Sequence, residues 1–243
     1  MLDRAGRVTV DELTEELQVS AVTARADLDA LSELGALVRS HGGAVKLEGP
    51  EVDYPIAFKK MLRQSDKERI GKAAAQLIQP NQTVILDSGT TTAEVARHLK
   101  LSKVRPITVI TNGLNIGVEL STAADTTVLL LGGMLRSASL STVGPHAEQM
   151  LRQLNADHLF MGVDGLDPES GLSTPDVFEA QLDALMMKMA KSITVVADSS
   201  KFGRRSLSVI GRVEEIDRLI TDNEANPAMI AAIRSRGVEV ITV

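Results

Sequence analysis

Residues 87–92 read Asp87-Ser88-Gly89-Thr90-Thr91-Thr92, at the end of the apolar run 83–87 and at the start of a helical pattern. Hydroxyl side chains around a glycine at a strand-to-helix turn can cradle a phosphate. Backbone N–H groups converge at a helix start, and glycine lets the anion approach closely. Lys201, within Ala197-Asp198-Ser199-Ser200-Lys201-Phe202-Gly203, is the mobile cation that could join such an anion. A Ser/Thr-rich turn before a helix is also an ordinary helix cap, and an isolated lysine is ordinary solvated surface. Asp87, Asp164 and Lys201 could alternatively move protons on a bound sugar, as an isomerase or deaminase would require. No residue pair in the chain reads as a base with its orienting partner, which disfavours that chemistry.

A second set of polar residues lies near the amino end. Ser20, Ala21, Thr23 and Arg25 fall at the start of one helical pattern, and Arg39, His41 and Lys46 come after it. Short polar and basic groups at a helix start are suited to base edges and phosphates of DNA.

The bulk numbers narrow the choices. The chain has 243 residues, 44% of them hydrophobic, and no cysteine. Disulfides and thiolate metal sites are therefore excluded, and a reducing, cytoplasmic setting is expected. The four histidines, His41, His98, His146 and His158, include no i, i+4 pair, so no metal site is expected. No cofactor is expected either. No apolar run is long enough for a membrane span, and neither a membrane span nor secretion is expected. The formal net charge is −6, which does not itself favour nucleic acid. The positive residues Arg25, Arg39, His41 and Lys46 fall on the second helix and the two short strands after it, whereas Asp11, Glu12, Glu15 and Glu16 fall on the first helix. An acidic protein can still present a local basic surface.

These residues require particular elements to position them. Val10, Leu13 and Leu17 have helical spacing, with Thr9 and Glu12 as a capping box. Ser20 caps a second helix, Ala21 to Leu34, whose expected buried stripe is Val22, Leu28, Leu31 and Leu34. Ala24 is expected on its exposed face. Residues 36–47 predict two short strands around Gly42-Gly43. The result is a winged helix-turn-helix over 1–48. Glu48-Gly49-Pro50-Glu51 breaks regular structure, so 49–66 reads as a linker, with a short helix over 58–63. Asp66 is expected to cap a helix over 67–78.

From 67 to 243 the pattern is strand and helix in alternation. Apolar runs lie at 83–87, 107–111, 127–132, 158–163, 192–197, 218–221 and 238–243, with helical patterns at 91–100, 113–123, 145–154, 176–191 and 226–236. This predicts an α/β domain with a mostly parallel sheet covered on both faces. Ligands bind beyond the carboxyl ends of such strands. The loops there carry Ser88 to Thr92, Asn112, Gly132-Gly133, Asp164 and Lys201. Met186, Met187 and Met189 read as helix packing.

The stretch Val19-Ser20, Thr23, Arg25, Asp27-Leu28, Leu31, Gly35, Arg39, His41-Gly42-Gly43-Ala44 resembles the DNA-binding signature of the DeoR family of bacterial regulators. The segments 87–92, 111–113, 131–133, 160–167, 171–173 and 197–203 resemble, in order, that family's sensor domain, whose fold is similar to ribose-5-phosphate isomerase. The resemblance implies a repressor of sugar catabolism genes, operator DNA as partner, and a homo-oligomer, dimer or tetramer. It also implies a phosphorylated sugar effector held at Ser88, Gly89, Thr90, Thr91 and Thr92, with Asp87, Asn112, Gly132, Gly133, Asp164 and Lys201 lining the rest. The loop wording is similar to the amino-sugar, N-acetylgalactosamine-type, branch. The chain departs from the family pattern at Ala24 and Ala26, where a β-branched and a basic residue are usual. It also departs at Gln181, Leu182, Asp183 and Ala184, where a cation is usual and only Lys188 could replace it. Met1–Gly6 leave room for only part of the family's first helix, so a reduced head core is expected.

Overall fold

The computed structural model describes residues 1–46 and 53–243. The expected boundary at Glu48-Gly49-Pro50-Glu51 lies outside the described residues. The chain forms two compact units, Met1–Leu62 and Arg63–Val243.

The first unit opens with α1 (Leu2–Ala5), β1 (Arg7–Thr9), α2 (Val10–Leu17) and α3 (Ala21–Glu33). It continues with β2 (Leu37–Ser40), β3 (Gly43–Lys46) and α4 (Ile56–Met61). The capping box at α2 is present: Glu12 N–H donates to Thr9 Oγ1 at 3.2 Å, and Thr9 N–H to Glu12 Oε2 at 2.7 Å. Ser20 Oγ caps α3 by accepting from Thr23 N–H at 3.1 Å. The wing is a three-stranded sheet, β1-β3-β2, not a lone hairpin. β1 escapes the sequence pattern because three residues, with only Val8 buried, make no periodicity. Its pairing with β3 sets Val8 opposite Ala44. The core is Val8, Val10, Ala24, Leu28, Leu37 and Ala44.

The expected stripe on α3 needs correction. Val22 is 75% exposed and Ala24 is 2% exposed. Ala24 packs in the core with Val8, Leu37 and Ala44 of the wing, so the small side chain faces inward. Leu17 is also exposed, at 56%.

The second unit begins with α5 (Gln64–Ala75), which starts earlier than expected. Its N-cap is Arg63, in the left-handed region, and not Asp66. Asp66 instead sits in the first turn and pairs with Arg63 at 3.2 Å and Arg69 at 2.9 Å, where an acid suits the helix dipole. There follow β4 (Thr83–Leu86), α6 (Thr90–Leu101), β5 (Ile107–Thr111), α7 (Leu114–Leu120), β6 (Thr126–Leu130), β7 (Met134–Arg136), β8 (Ser141–Val143) and α8 (Pro145–Leu151). Then come β9 (Ala156–Met161), β10 (Gly165–Asp167), β11 (Gly171–Thr174), α9 (Val177–Met189) and β12 (Ala190–Val196). β13 (Ser208–Gly211), β14 (Arg218–Thr221), α10 (Pro227–Arg234) and β15 (Glu239–Thr242) complete it.

Seven strands form one sheet in the order β15-β14-β12-β9-β4-β5-β6. Every pairing in it is parallel. Apolar residues fill both faces. Ile85 joins the cluster under α8, α9 and α10, while Val84 and Leu86 join the cluster under α5, α6 and α7. That alternation is the strand period at work. From β4 the chain winds outward through β5 to β6, then crosses back to β9 on the other side of β4. The strand order therefore reverses between β4 and β9, where open α/β sheets form a ligand crevice. α9 runs directly into β12 with no intervening residue.

Gly42 and Gly43 serve the wing for different reasons. Gly42 has φ +78°, and a Cβ on Gly43 would lie 2.0 Å from the Val8 carbonyl oxygen. Gly43→Ala should force β1 off β3 and destabilise the first unit by about 1–3 kcal/mol. Differential thermal melting should show this as a loss confined to the first unit's transition.

Candidate functional site

The reversal point is built around Asp87. Its Oδ2 accepts from Gly162 N–H at 2.7 Å, joining the carboxyl ends of β4 and β9. Oδ1 has no hydrogen-bond partner although Asp87 is only 3% exposed. The Thr92 hydroxyl lies nearby and donates to the Asp87 main-chain oxygen at 3.4 Å. Asn112 occupies the matching place after β5, since Leu86 is in register with Thr111. Its Nδ2 donates to the Thr142 carbonyl at 3.3 Å, and its Oδ1 is buried without a donor.

Ser88, Gly89 and Thr90 lie partly exposed in front of this floor, while Thr91 and Thr92 are buried. The N-cap of α6 is Gly89, and no side chain caps the helix. The hydroxyls of the loop are therefore not spent as caps, and the first-turn N–H groups face the loop. Asp164 and Lys201 stand at the same rim and form an ion pair at 3.2 Å. Asp198 Oδ1 holds the turn that carries Lys201 by accepting from Ser200 N–H at 3.0 Å. Gly132 and Gly133 are exposed after β6. A Cβ on Gly133 would meet the Val143 carbonyl at 2.6 Å, so this glycine serves close approach to β8.

One contributor had no signal in its neighbours in sequence. Arg136, on β7, reaches Asp176 at 3.0 Å and Glu179 at 3.4 Å. Glu179 also accepts from Ser141 Oγ at 2.8 Å and from Ser139 Oγ. Asp183, one turn further along α9, is 8% exposed. Lys188, which could have supplied the usual cation, is exposed at the end of α9.

In the first unit, Ser20, Thr23, Arg25 and His41 are exposed and Ala21, Arg39 and Lys46 half-buried. The Ser20 and Thr23 hydroxyls lie 2.8 Å apart. Arg39 ties the wing to α3: Nε pairs with Asp29 at 2.7 Å and an Nη donates to the Gly43 carbonyl at 2.6 Å.

Comparison with known proteins matches residues 1–49 to the DeoR-like helix-turn-helix domain and residues 62–223 to the DeoR C terminal sensor domain. The chain belongs to the DeoR family. This DeoR-family protein is 41% identical to a putative aga operon transcriptional repressor of Escherichia coli O157:H7, over 100% of this chain and 90% of that protein. It is 39% identical to the transcriptional regulator GlpR of Haloferax volcanii, covering 98% of the chain and 92% of GlpR. It is 38% identical to the transcriptional repressor AccR of Agrobacterium fabrum, covering 89% and 83%. It is thus a DNA-binding transcriptional regulator of the repressor type and not an enzyme. Ribose 5-phosphate isomerase A from Neisseria gonorrhoeae aligns with a TM-score of 0.43 at 14% identity, over 57% of this chain and 53% of that one. The initiation factor eIF-2B of Pyrococcus horikoshii aligns with a TM-score of 0.43 at 20% identity, over 62% and 51%. No helix among the described residues is long and apolar enough to cross a membrane.

The DeoR-family sensor unit holds its carboxylates in an unusual state. Burial pushes Asp87 up to about 7, helped by Glu179 and Asp164. Burial also raises Asp183 well above the ordinary range, with Asp87, Glu179, Asp164 and Asp176 adding to it. A carboxyl raised in the folded state stabilises fully at acid pH and loses that stability as pH climbs through its folded value. His158 works in the opposite direction: burial lowers it to about 4, so its contribution grows from about 4 towards its ordinary 6.5. A variant comparison separates the two. Asp183→Asn should be more stable than the parent, and its advantage should widen between pH 5 and pH 8. Each proton involved contributes at most about 1.4 kcal/mol per pH unit. Thermal melts across that range would refute the assignment if the advantage stayed flat.

Proposed function

We propose that this regulator represses sugar-utilisation genes and leaves its operator when a phosphorylated sugar docks at the β4–β9 reversal point. The observation that carries this reading is the uncapped N-terminus of α6 behind Ser88-Gly89-Thr90, with Lys201 at the same rim. A helix start with free N–H groups and a positive dipole end favours an anion. Ser88 to Thr92 would take the phosphate, and Asp87, Asn112, Asp164 and Lys201 the sugar. Gly132 and Gly133 would keep the neighbouring loop short and close. One relative in the comparison is a putative repressor of a named operon, aga, which supports the assignment to control of an operon.

On the DNA side, Ser20, Ala21, Thr23 and Arg25 would enter the major groove. His41 and Lys46 would meet phosphates from the wing, and Arg39 would hold wing and helix in register. Two or four copies would read a symmetric operator, as helix-turn-helix proteins do. The ligand must bind the DNA-free conformation more tightly to shift the population.

Arg25→Ala should cost about 1–3 kcal/mol of operator affinity if it reads a base, or reduce the salt slope by about one if it touches phosphate. Mobility shifts at several salt concentrations distinguish these. Lys201→Ala should bind the operator like the parent but fail to release it on addition of sugar phosphates. Loss of both activities together would contradict the division of roles.

A further inference from the structure

We infer that the sensor unit's ligand carries a free, protonated amine, and that Asp183 and Asp87 receive it. This deepens the sugar-phosphate reading above and rests on it.

Charge pairing inside the site leads to this. Five carboxylates act on one another there: Asp87 after β4, Asp164 after β9, Asp176 at the start of α9, and Glu179 and Asp183 within it. Cations answer three of them. Arg136 pairs with Asp176 and Glu179, and Lys201 pairs with Asp164. Among the described residues, no lysine, arginine or histidine pairs with Asp87 or Asp183. Both are buried, at 3% and 8% exposure. A buried carboxylate without a cation is costly and takes up a proton instead.

A separate observation specifies what is missing. Asp87 Oδ1 and Asn112 Oδ1 are both buried acceptors without donors. They belong to residues side by side at the ends of β4 and β5. Asn112 cannot turn its amide to help, because its Nδ2 already bonds to Thr142. With its carboxyls ionised, the floor therefore lacks donors and positive charge together. A phosphate supplies neither. A hydroxyl or an acylated nitrogen supplies one donor and no charge. An ammonium supplies three donors and the charge. A divalent cation would also supply charge, but among the described residues no three carboxylate or histidine side chains are placed so that they could hold one. Asp87 and Asp183 would exchange their protons for the ammonium, with the released protons passing to solvent.

Calorimetric titration of the full chain with a matched set tests this. The set is glucosamine 6-phosphate, N-acetylglucosamine 6-phosphate, glucose 6-phosphate and unphosphorylated glucosamine, each with its galacto epimer. At pH 7.5 the amine phosphate should bind about tenfold or more tightly than its acetyl and hydroxyl counterparts. Asp183→Asn should erase that preference. Proton release, read from titrations in buffers of different ionisation enthalpy, should accompany the amine compound alone. Equal affinity for amine and hydroxyl phosphates overturns the inference while leaving the sugar-phosphate reading intact. Equal binding of phosphorylated and free glucosamine does the reverse. Binding by none of the set overturns both. The wild-type comparison decides the matter even where the variant fails to fold.

Discussion

Past the end of the β4–β9 backbone ladder, where the sheet reverses direction, the Gly162 N–H donates to the Asp87 carboxylate at 2.7 Å and ties the two strand ends together. A parallel sheet splays its loops apart at such a point, α6 leaving on one face and α9 on the other. The bond fixes which oxygen of Asp87 is satisfied and which is left buried without a partner. Ser88-Gly89-Thr90 and Asp164 leave the two strand ends that this contact ties, and Asn112 leaves the neighbouring end of β5.

The second unit combines two electrostatic demands that rarely coincide. A helix start without a side-chain cap favours negative charge, while the floor behind it is rich in carboxylates. In a low-dielectric interior, opposite preferences a short distance apart can coexist only if each is answered by a different group. Arg136 and Lys201 answer some of the acids, and they come from β7 and from the turn after β12. The pairing with α9 draws the antiparallel β7–β8 piece down over the sheet's end, with Thr142 bonded to Asn112. These small strands are therefore more than decoration on the parallel sheet; they supply the polar wall of the site.

How much of this could be read from the chain alone depends on the range of the interactions. The seven apolar runs became the seven parallel strands, because burial on both faces leaves a continuous apolar imprint in the central strands β4, β5, β9, β12 and β14. The helix-turn-helix and its caps were legible for the same local reason. The short antiparallel pieces β1, β7, β8, β10, β11 and β13 were not, since pairing with a distant strand leaves little trace in three or four residues. Val22 and Ala24 exchanged places because the wing crosses α3 closely, a tertiary fact with no sequence period. Asp87, Asn112, Asp164 and Lys201 were found as strand-end residues, and the structure brings Asp87 and Asn112 side by side and pairs Asp164 with Lys201. Arg136 was missed because its partners lie 40 and 43 positions further along. Asp183 stood out in the sequence only as a departure from a family habit, and its burial needed coordinates.

The direct junction of α9 and β12 constrains how the molecule can vary. Most helix-to-strand connections contain a few spare residues that absorb insertions. Here Met189 ends the helix and Ala190 begins the strand. One extra residue would turn the helix by about 100° relative to the sheet, carrying Glu179 and Asp183 away from the reversal point together. The segment thus works as a ruler, and homologues that keep the same acidic floor should differ in length almost anywhere but there.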